Sequence, residues 1–120
     1  MVVVFIFFTA PVFTQRAVFY AKKKTICFPK TTEGAKLNYR YIIKNTGKAP
    51  LEFYGFDTEC TCTEVTLPQN PLKPNEQNFI DIVFDTNGKY FFQDRVIYLS
   101  TNTRKKREKL RFKVFVVPKD

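Results

Sequence analysis

The sequence contains no histidine and no tryptophan, and only one methionine, three cysteines and four glycines. Histidine is the commonest general base and the commonest metal ligand in proteins, so its absence excludes histidine-dependent catalytic triads and histidine zinc sites. The four glycines are not clustered, which excludes a glycine-rich phosphate-binding loop. Catalysis would have to depend on carboxylates, lysine, tyrosine or cysteine. We therefore expect a protein that binds or braces other molecules and is not an enzyme.

Strong helix formers are also scarce, whereas residues that favour strands are abundant. Leu and Ala are few, while the chain contains 14 Phe and 6 Tyr, which fit the pleated, half-buried surface of a sheet. No stretch shows a sustained helical period. With 120 residues, of which 44% are hydrophobic, the chain has the length of one domain and can bury a core. The composition indicates an all-β domain.

Apolar and polar residues alternate in several short segments. In Leu37–Ile43 one face holds Leu37, Tyr39, Tyr41 and Ile43, and in Asn78–Phe84 the inward residues are Ile80, Ile82 and Phe84. In Leu110–Val117 the residues Leu110, Phe112, Val114 and Val116 face inward, and Arg111 and Lys113 face outward. Most of the Phe and Tyr residues fall on such alternating core positions. Further short strands are predicted over Ala17–Tyr20, Lys24–Phe28, Leu51–Phe56 and Tyr90–Leu99. About seven short strands predict an antiparallel immunoglobulin-like β-sandwich, although a six-stranded barrel would give a similar pattern.

Turn residues separate these segments. Asn45–Lys48 is predicted to turn because Asn and Gly tolerate positive φ, and Asn-Gly within Asp85–Lys89 is a strong hairpin signal. Pro68–Asn75 is predicted to be an irregular connection, and Ser100–Glu108 a loop.

The first residues form an apolar run that reads MVVVFIFF over Met1–Phe8. The run is shorter than the ~20 apolar residues that a membrane-spanning helix needs, so no transmembrane span is expected. Its length suits the apolar region of a secretory signal peptide, although no Lys or Arg precedes it. We interpret residues 1–15 as a signal peptide or a buried N-terminal strand, and residues 16–120 as one domain.

Several short motifs follow one another in a recognisable order. They are Asn45-Thr46-Gly47-Lys48-Ala49-Pro50-Leu51, Cys60-Thr61-Cys62-Thr63, Pro71-Leu72-Lys73-Pro74, Phe84-Asp85-Thr86 and Ser100-Thr101-Asn102. This order resembles the bacterial family known as domain of unknown function 1573, over roughly Phe28 to Val117. The resemblance implies a seven-stranded immunoglobulin-like sandwich, an export signal, a place in the bacterial envelope and no established catalytic activity. Two positions depart from the family pattern, with Thr61 and Asn75 where it has glycine.

Cys60 and Cys62 stand two apart, so both thiols would point to the same side of an extended strand. They could pair with each other in a small and easily reduced ring, or one of them could pair with Cys27. They could also hold a soft metal such as Cu(I) between two thiolates, whereas structural zinc would need further ligands that the chain lacks. We favour a structural role over these redox and metal alternatives, and we predict no cofactor.

The densest positive charge is Arg104-Lys105-Lys106-Arg107, in a chain of net charge +9. Such a run suits phosphates and therefore nucleic acid, but in a predicted loop it is more simply a solvated surface. We favour the solvated surface and do not expect nucleic acid as the partner, and the alternative function is a polyanion or nucleic-acid binder that uses this loop. In an exported protein the polyanion would be an anionic envelope component such as lipopolysaccharide phosphate. The carboxylates that flank the cysteines, Asp57, Glu59 and Glu64, are interpreted as solvated turn residues and not as a catalytic pair.

From these observations we predict an exported, noncatalytic module of the periplasm or outer membrane that contacts another envelope protein. A sheet edge or the loops at one end of the sandwich would make the contact. The loop over residues 57–63, beside the Pro68–Asn75 connection, is the favoured surface. The predicted interaction residues are Asp57, Glu59, Thr61, Thr63, Arg104, Lys105, Lys106 and Arg107.

Overall fold

The computed structural model describes residues 15–120, which form nine strands and no helix. The predictions for the first 14 residues lie outside this part of the chain. The strands are β1 (Phe19–Ala21), β2 (Thr25–Cys27), β3 (Thr31–Thr32), β4 (Lys36–Asn45), β5 (Phe53–Thr58), β6 (Thr63–Thr66), β7 (Gln77–Asp85), β8 (Phe91–Thr101) and β9 (Arg107–Val117).

The strands form two separate sheets. Sheet A has the order β1-β4-β7-β6, and sheet B has the order β2-β9-β8-β5 with β3 also paired to β9. Neighbouring strands are antiparallel, except that β2 and β3 run parallel to β9. The predicted all-β sandwich is therefore confirmed, and the barrel alternative is wrong. The count exceeds seven because β3 and β6 are additional short strands.

The core lies between the inward faces of the two sheets, and one hydrogen bond crosses it. The largest side chains in the core that are fully buried are Tyr41, Phe84 and Phe112, with the rings of Phe84 and Phe112 5.0 Å apart. The Tyr41 hydroxyl on β4 donates to the backbone carbonyl of Arg111 on β9, at 2.8 Å. Because Tyr41 is buried, its pKa is raised above the ordinary value, and the hydroxyl keeps its proton and remains a donor. This bond fixes β9 against sheet A.

The Asn45–Lys48 turn forms where it was predicted, but for a different physical reason. Neither Asn45 nor Gly47 has a positive φ. The fully buried amide of Asn45 accepts from the backbone N–H of Val18 and Gly47 and donates to the carbonyls of Ala49 and Leu72. A Cβ on Gly47 would lie 2.6 Å from the nitrogen of Val18, so only glycine fits this approach. The motif therefore joins β1 and β4 to the neighbouring connections.

Two other motif residues bind backbone groups at strand ends. The buried Thr86 hydroxyl accepts from the N–H of Gly34 at 3.0 Å and donates to the carbonyl of Ala35 at 2.6 Å. The side-chain oxygen of Asn102 accepts from the N–H of Glu52 at 2.8 Å. The motifs that carry the family resemblance thus hold the fold together.

Two other predicted turns do contain a residue with positive φ. Asn75 replaces the glycine of the family pattern and adopts a φ of 67°. Gly88 has a φ of 73° in the hairpin between β7 and β8, where the Asp85 carboxylate accepts from the N–H of Asn87 at 2.9 Å.

Candidate functional site

The first predicted site is the cysteine loop between β5 and β6. Cys60 and Cys62 are joined by a disulfide, and Cys27 is an exposed free thiol on β2. Of the cysteine arrangements that the sequence left open, the structure therefore contains the disulfide between Cys60 and Cys62. A Cu(I) clamp would require both sulfurs as thiolates and so could exist only in the reduced protein. Within residues 15–120, no three His, Cys, Asp or Glu side chains form a group that could hold a metal ion.

The residues around this disulfide differ in accessibility. Asp57, Glu59 and Thr61 are exposed, and the Glu59 carboxylate lies 3.7 Å from the guanidinium of Arg95. Thr63 is buried at the start of β6, where its side chain faces the core. Thr63 therefore does not offer its side chain to a partner, in contrast to the expectation from sequence.

The second predicted site is the basic loop before β9. Arg104, Lys105 and Lys106 form an exposed turn in which Lys106 has a φ of 62°. Arg107 belongs to β9, with its guanidinium 3.8 Å from the ring centre of Tyr98 and 3.7 Å from the carboxylate of Asp57. The structure thus brings one residue from each predicted group together across sheet B. In the described chain, no ion pair or hydrogen bond joins residues 104–106 to the cysteine loop.

The charge of the loop continues along β9. Its side chains alternate between core and solvent, and the outward row, here named the basic row, is Arg107, Lys109, Arg111 and Lys113. Arg111 forms a two-pronged ion pair with Asp94 on β8, with one N···O distance of 2.7 Å. Hydrogen bonding to Arg111 holds the pKa of Asp94 below its ordinary value, and the same bond raises the pKa of Arg111.

Three exposed aromatic side chains lie at one end of sheet B, and a fourth precedes them in the chain. This aromatic patch consists of Phe91, Phe92 and Phe115, with exposed fractions of 59%, 61% and 42%, and Tyr90 before it is 51% exposed. Phe92 is directly opposite Phe115 in the β8–β9 register, and the rings of Phe91 and Phe115 lie 6.2 Å apart. The ammonium group of Lys30 lies 5.8 Å from the ring centre of Phe115. The basic row therefore leads directly into an apolar surface.

The backbone at the aromatic patch is strained. Phe91 has a φ of 66°, a left-handed conformation that is unusual for a bulky residue. The ring of Phe91 lies beside that of Phe115, on the solvent side of the sheet. The expectation that the aromatics fill core positions is wrong for these residues. A sequence signal was present, because the three consecutive aromatics at the start of the predicted strand Tyr90–Leu99 cannot all face the core.

The two sheets and their connections define the class of immunoglobulin-like β-sandwich domains. The family follows from a direct match: the chain belongs to the family described as proteins of unknown function (DUF1573), whose model matches residues 19–116. The resemblance inferred from the motifs is thereby confirmed. No curated protein matches the chain.

Several solved structures share the fold at low identity. A protein of unknown function from Porphyromonas gingivalis W83 is 15% identical with a TM-score of 0.73, over 84% of this chain and 47% of that one. The chain thus spans about half the length of that protein. The ASH/PapD-like domain of human CEP192 is 13% identical with a TM-score of 0.64, over 100% and 97% of the two chains.

Some proteins that contain a similar fold are enzymes. The Vibrio cholerae VesB protease is 10% identical with a TM-score of 0.61, over 85% of this chain but only 32% of the protease. At such identities these likenesses show the fold alone. Among residues 15–120 there is no helix long and apolar enough to cross a lipid bilayer.

Proposed function

We propose that this chain is a noncatalytic module of the bacterial cell envelope that binds another protein through the outer surface of sheet B. The observation that supports this proposal is the aromatic patch. Contiguous apolar surface on a soluble domain is characteristic of protein contacts. Phe91 is also held in a strained conformation, which costs about 1–3 kcal/mol. Such strain is concentrated at functional sites, and here it accompanies the display of the ring.

Photo-crosslinking in the native host tests the binding surface. A benzophenone amino acid replaces Phe92 in the aromatic patch, and in a second variant it replaces Phe79. Phe79 is a matched control because it is also an exposed strand phenylalanine, but on sheet A. We expect a discrete protein adduct from position 92 and none from position 79, since only the first lies in the proposed interface.

Two results would contradict this proposal. One is the absence of any protein adduct from position 92 in a variant that folds normally by circular dichroism. The other is an equal yield of the same adducts from positions 92 and 79, which would indicate random collision instead of a specific surface.

The envelope location is part of the proposal and is supported by the apolar run at Met1–Phe8. A signal peptide of this length is removed during export. We expect the native protein to have an intact mass that lacks the first 14 or 15 residues. An uncleaved chain recovered from the cytoplasm would contradict the location while leaving the binding surface untouched.

A second candidate function is thiol–disulfide exchange at Cys60 and Cys62, which the observed disulfide favours. A thiolate of a partner dithiol would attack one sulfur and release the other as a thiolate. Attack by the second partner thiol would then leave the partner oxidised and this pair reduced. The test is alkylation and intact mass after equilibration in glutathione redox buffers, in a Cys27→Ser variant that leaves only the pair. A pair that stays oxidised in reducing glutathione would exclude this role.

A further inference from the structure

The basic row has a regular spacing that an extended partner segment could match. Its four residues alternate along β9, so their side chains project from one face at intervals of about 6.8 Å, over about 20 Å in all. A segment in extended conformation presents every second side chain at the same interval. The spacing of the row is therefore suited to acidic side chains at alternate positions.

The charges of the row are only partly neutralised within the domain. The Arg111 guanidinium is paired with Asp94, and Arg107 lies near Asp57. Lys109 and Lys113 have no carboxylate oxygen within 4.0 Å in the described part of the chain. Lys113 stands opposite Asp94 in the β8–β9 register and helps to lower the pKa of Asp94, but that carboxylate is already paired with Arg111. The face therefore keeps a surplus of positive charge at Lys109 and Lys113.

The apolar end of the face defines the other half of the ligand. Lys113 is two positions from Phe115 on β9, and Phe115 contributes to the aromatic patch. A partner that satisfies both regions would have carboxylates over Lys109 and Lys113 and apolar side chains over the rings. Charged groups select and orient such a partner, while the rings provide buried area.

The carboxylates on this face favour a protein partner over a nucleic acid. Asp57 has a side chain that is 78% exposed, and Asp94 is also partly accessible. Both would repel a continuous row of phosphates. A polypeptide can place its own cations opposite these two residues and its carboxylates opposite the lysines.

We propose that this face binds an extended acidic segment of a partner protein, with carboxylates on Lys109 and Lys113 and apolar residues on the aromatic patch. This inference depends on the proposed function, because it specifies the chemistry of the partner that sheet B contacts. It differs from the predicted interaction at residues 104–107, because only Arg107 of that run belongs to the row.

The test combines crosslinking at position 92 with charge reversal. Lys109→Glu with Lys113→Glu reverses the unpaired charges, while Lys48→Glu with Lys73→Glu makes the same change in net charge on exposed loops outside the face. We expect the first pair to reduce the protein adduct at least tenfold and the control pair to change it less than twofold. Mass spectrometry of the adduct should identify a partner segment rich in Asp and Glu.

The outcomes separate the two proposals. A protein adduct that persists after reversal of Lys109 and Lys113, or a crosslinked segment without acidic residues, would overturn the acidic partner and leave the protein-binding function intact. If the protein with an unaltered basic row gives no adduct from position 92, both the acidic partner and the protein-binding function are overturned.

A second measurement titrates the purified domain with single-stranded oligothymidylate and with phosphatidylglycerol vesicles. If either probe binds in a way that depends on Lys109 and Lys113, and no protein adduct forms in the host, the ligand is a nucleic acid or a lipid and the inference is wrong.

Discussion

The outer faces of the two sheets differ in how their charges are matched. On sheet A the alternation of the strands places equal numbers of cations and anions, at Lys36, Arg40, Lys44, Glu64, Asp81 and Asp85. The register sets Lys36 opposite Asp85 and Arg40 opposite Asp81, and the latter pair forms two hydrogen bonds of 2.8 and 3.1 Å. Sheet B instead has the four cations of the basic row beside the carboxylates of Asp57 and Asp94, and the register sets Lys113 opposite Asp94. Glu59, which pairs with Arg95, also acts on Arg111.

The difference shows that a charged strand face can serve two purposes. On sheet A the outward cations and anions are equal in number, so the face has no net charge before any partner arrives. On sheet B the unpaired lysines and the aromatic patch leave both charge and apolar area exposed. The same alternating pattern builds both faces, and the balance of positive and negative charge on the face is what distinguishes a solvated surface from a candidate interface.

The largest expected effect on the free energy of unfolding comes from comparing a substitution on the inward side of β9 with one on its outward side. Phe112→Ala removes a fully buried ring that packs against Phe84 and Phe28, so we expect a loss of about 3–5 kcal/mol in the free energy of unfolding. Lys113→Ala, on the outer side, should change it by less than about 0.5 kcal/mol. Denaturant unfolding measures both. A large loss from Lys113→Ala would mean that the basic row is structural, and the contrast between the faces would disappear.

The next largest effect on stability compares Asn45, at the end of β4 in sheet A, with Asn102, which directly follows β8 of sheet B. Asn45→Ala leaves four backbone groups without their partner at a fully buried position on sheet A, so we expect a loss of about 3 kcal/mol or more. Asn102→Ala, at the exposed end of sheet B, breaks bonds to Glu52 and Pro50 and should cost about 1 kcal/mol. Thermal and denaturant unfolding check both values. Equal losses would show that burial does not govern these bonds.

A smaller effect concerns the aromatic patch itself. Phe92→Ser with Phe115→Ser removes a cross-strand pair that is largely exposed, and we expect a loss of at most about 1 kcal/mol in stability. Partner crosslinking from a benzophenone at position 91 should fall sharply, because the apolar area is gone. Phe79→Ser on sheet A is the control and should leave crosslinking unchanged. A loss well above 1 kcal/mol would indicate that the patch stabilises the fold.

The smallest expected effect is a dependence of stability on pH, to which one aspartate on the outer face of each sheet contributes. Hydrogen bonds from Arg40 and Arg111 hold the pKa values of Asp81 and Asp94 below the ordinary value of 3.8. Both groups therefore stabilise the folded state fully above that value, and this contribution is lost as the pH falls through the lowered pKa. Melting temperatures between pH 2 and pH 6 should fall less steeply in Asp81→Asn and Asp94→Asn than in the unaltered chain. Parallel curves for all three would contradict these shifts.

The longer strands could be predicted from sequence because each alternates over enough residues to define its buried face. Leu37–Ile43 and Leu110–Val117 lie within β4 and β9, with Arg111 outward as expected. The short β6 was missed because Val65 is its only aliphatic residue, and its pairing with β7 depends on long-range contacts. The parallel pairing of β2 and β3 with β9 has no signature in segments of two or three residues.

The candidate site was predicted only in part. The basic loop indicated Arg107, and the alternation of the last strand already placed Arg111 and Lys113 outward. The position of this row beside Asp94 and Phe92 becomes evident only when the register with β8 is known. The family motifs led toward the cysteine loop and the turns. Asn45, Thr86 and Asn102 instead satisfy backbone groups, so these motifs report the fold and not the partner.

The hydrogen bond from Tyr41 to the carbonyl of Arg111 has a consequence for the energetics of recognition. It joins the centre of the basic row to the opposite sheet through the core, so that β9 is anchored before any ligand arrives. A strand backbone held in this way loses little conformational entropy on association, and the cost within this domain is confined to its side chains. Most of the ordering cost would then fall on the incoming segment, and shortening or stiffening that segment would be the effective way to change affinity.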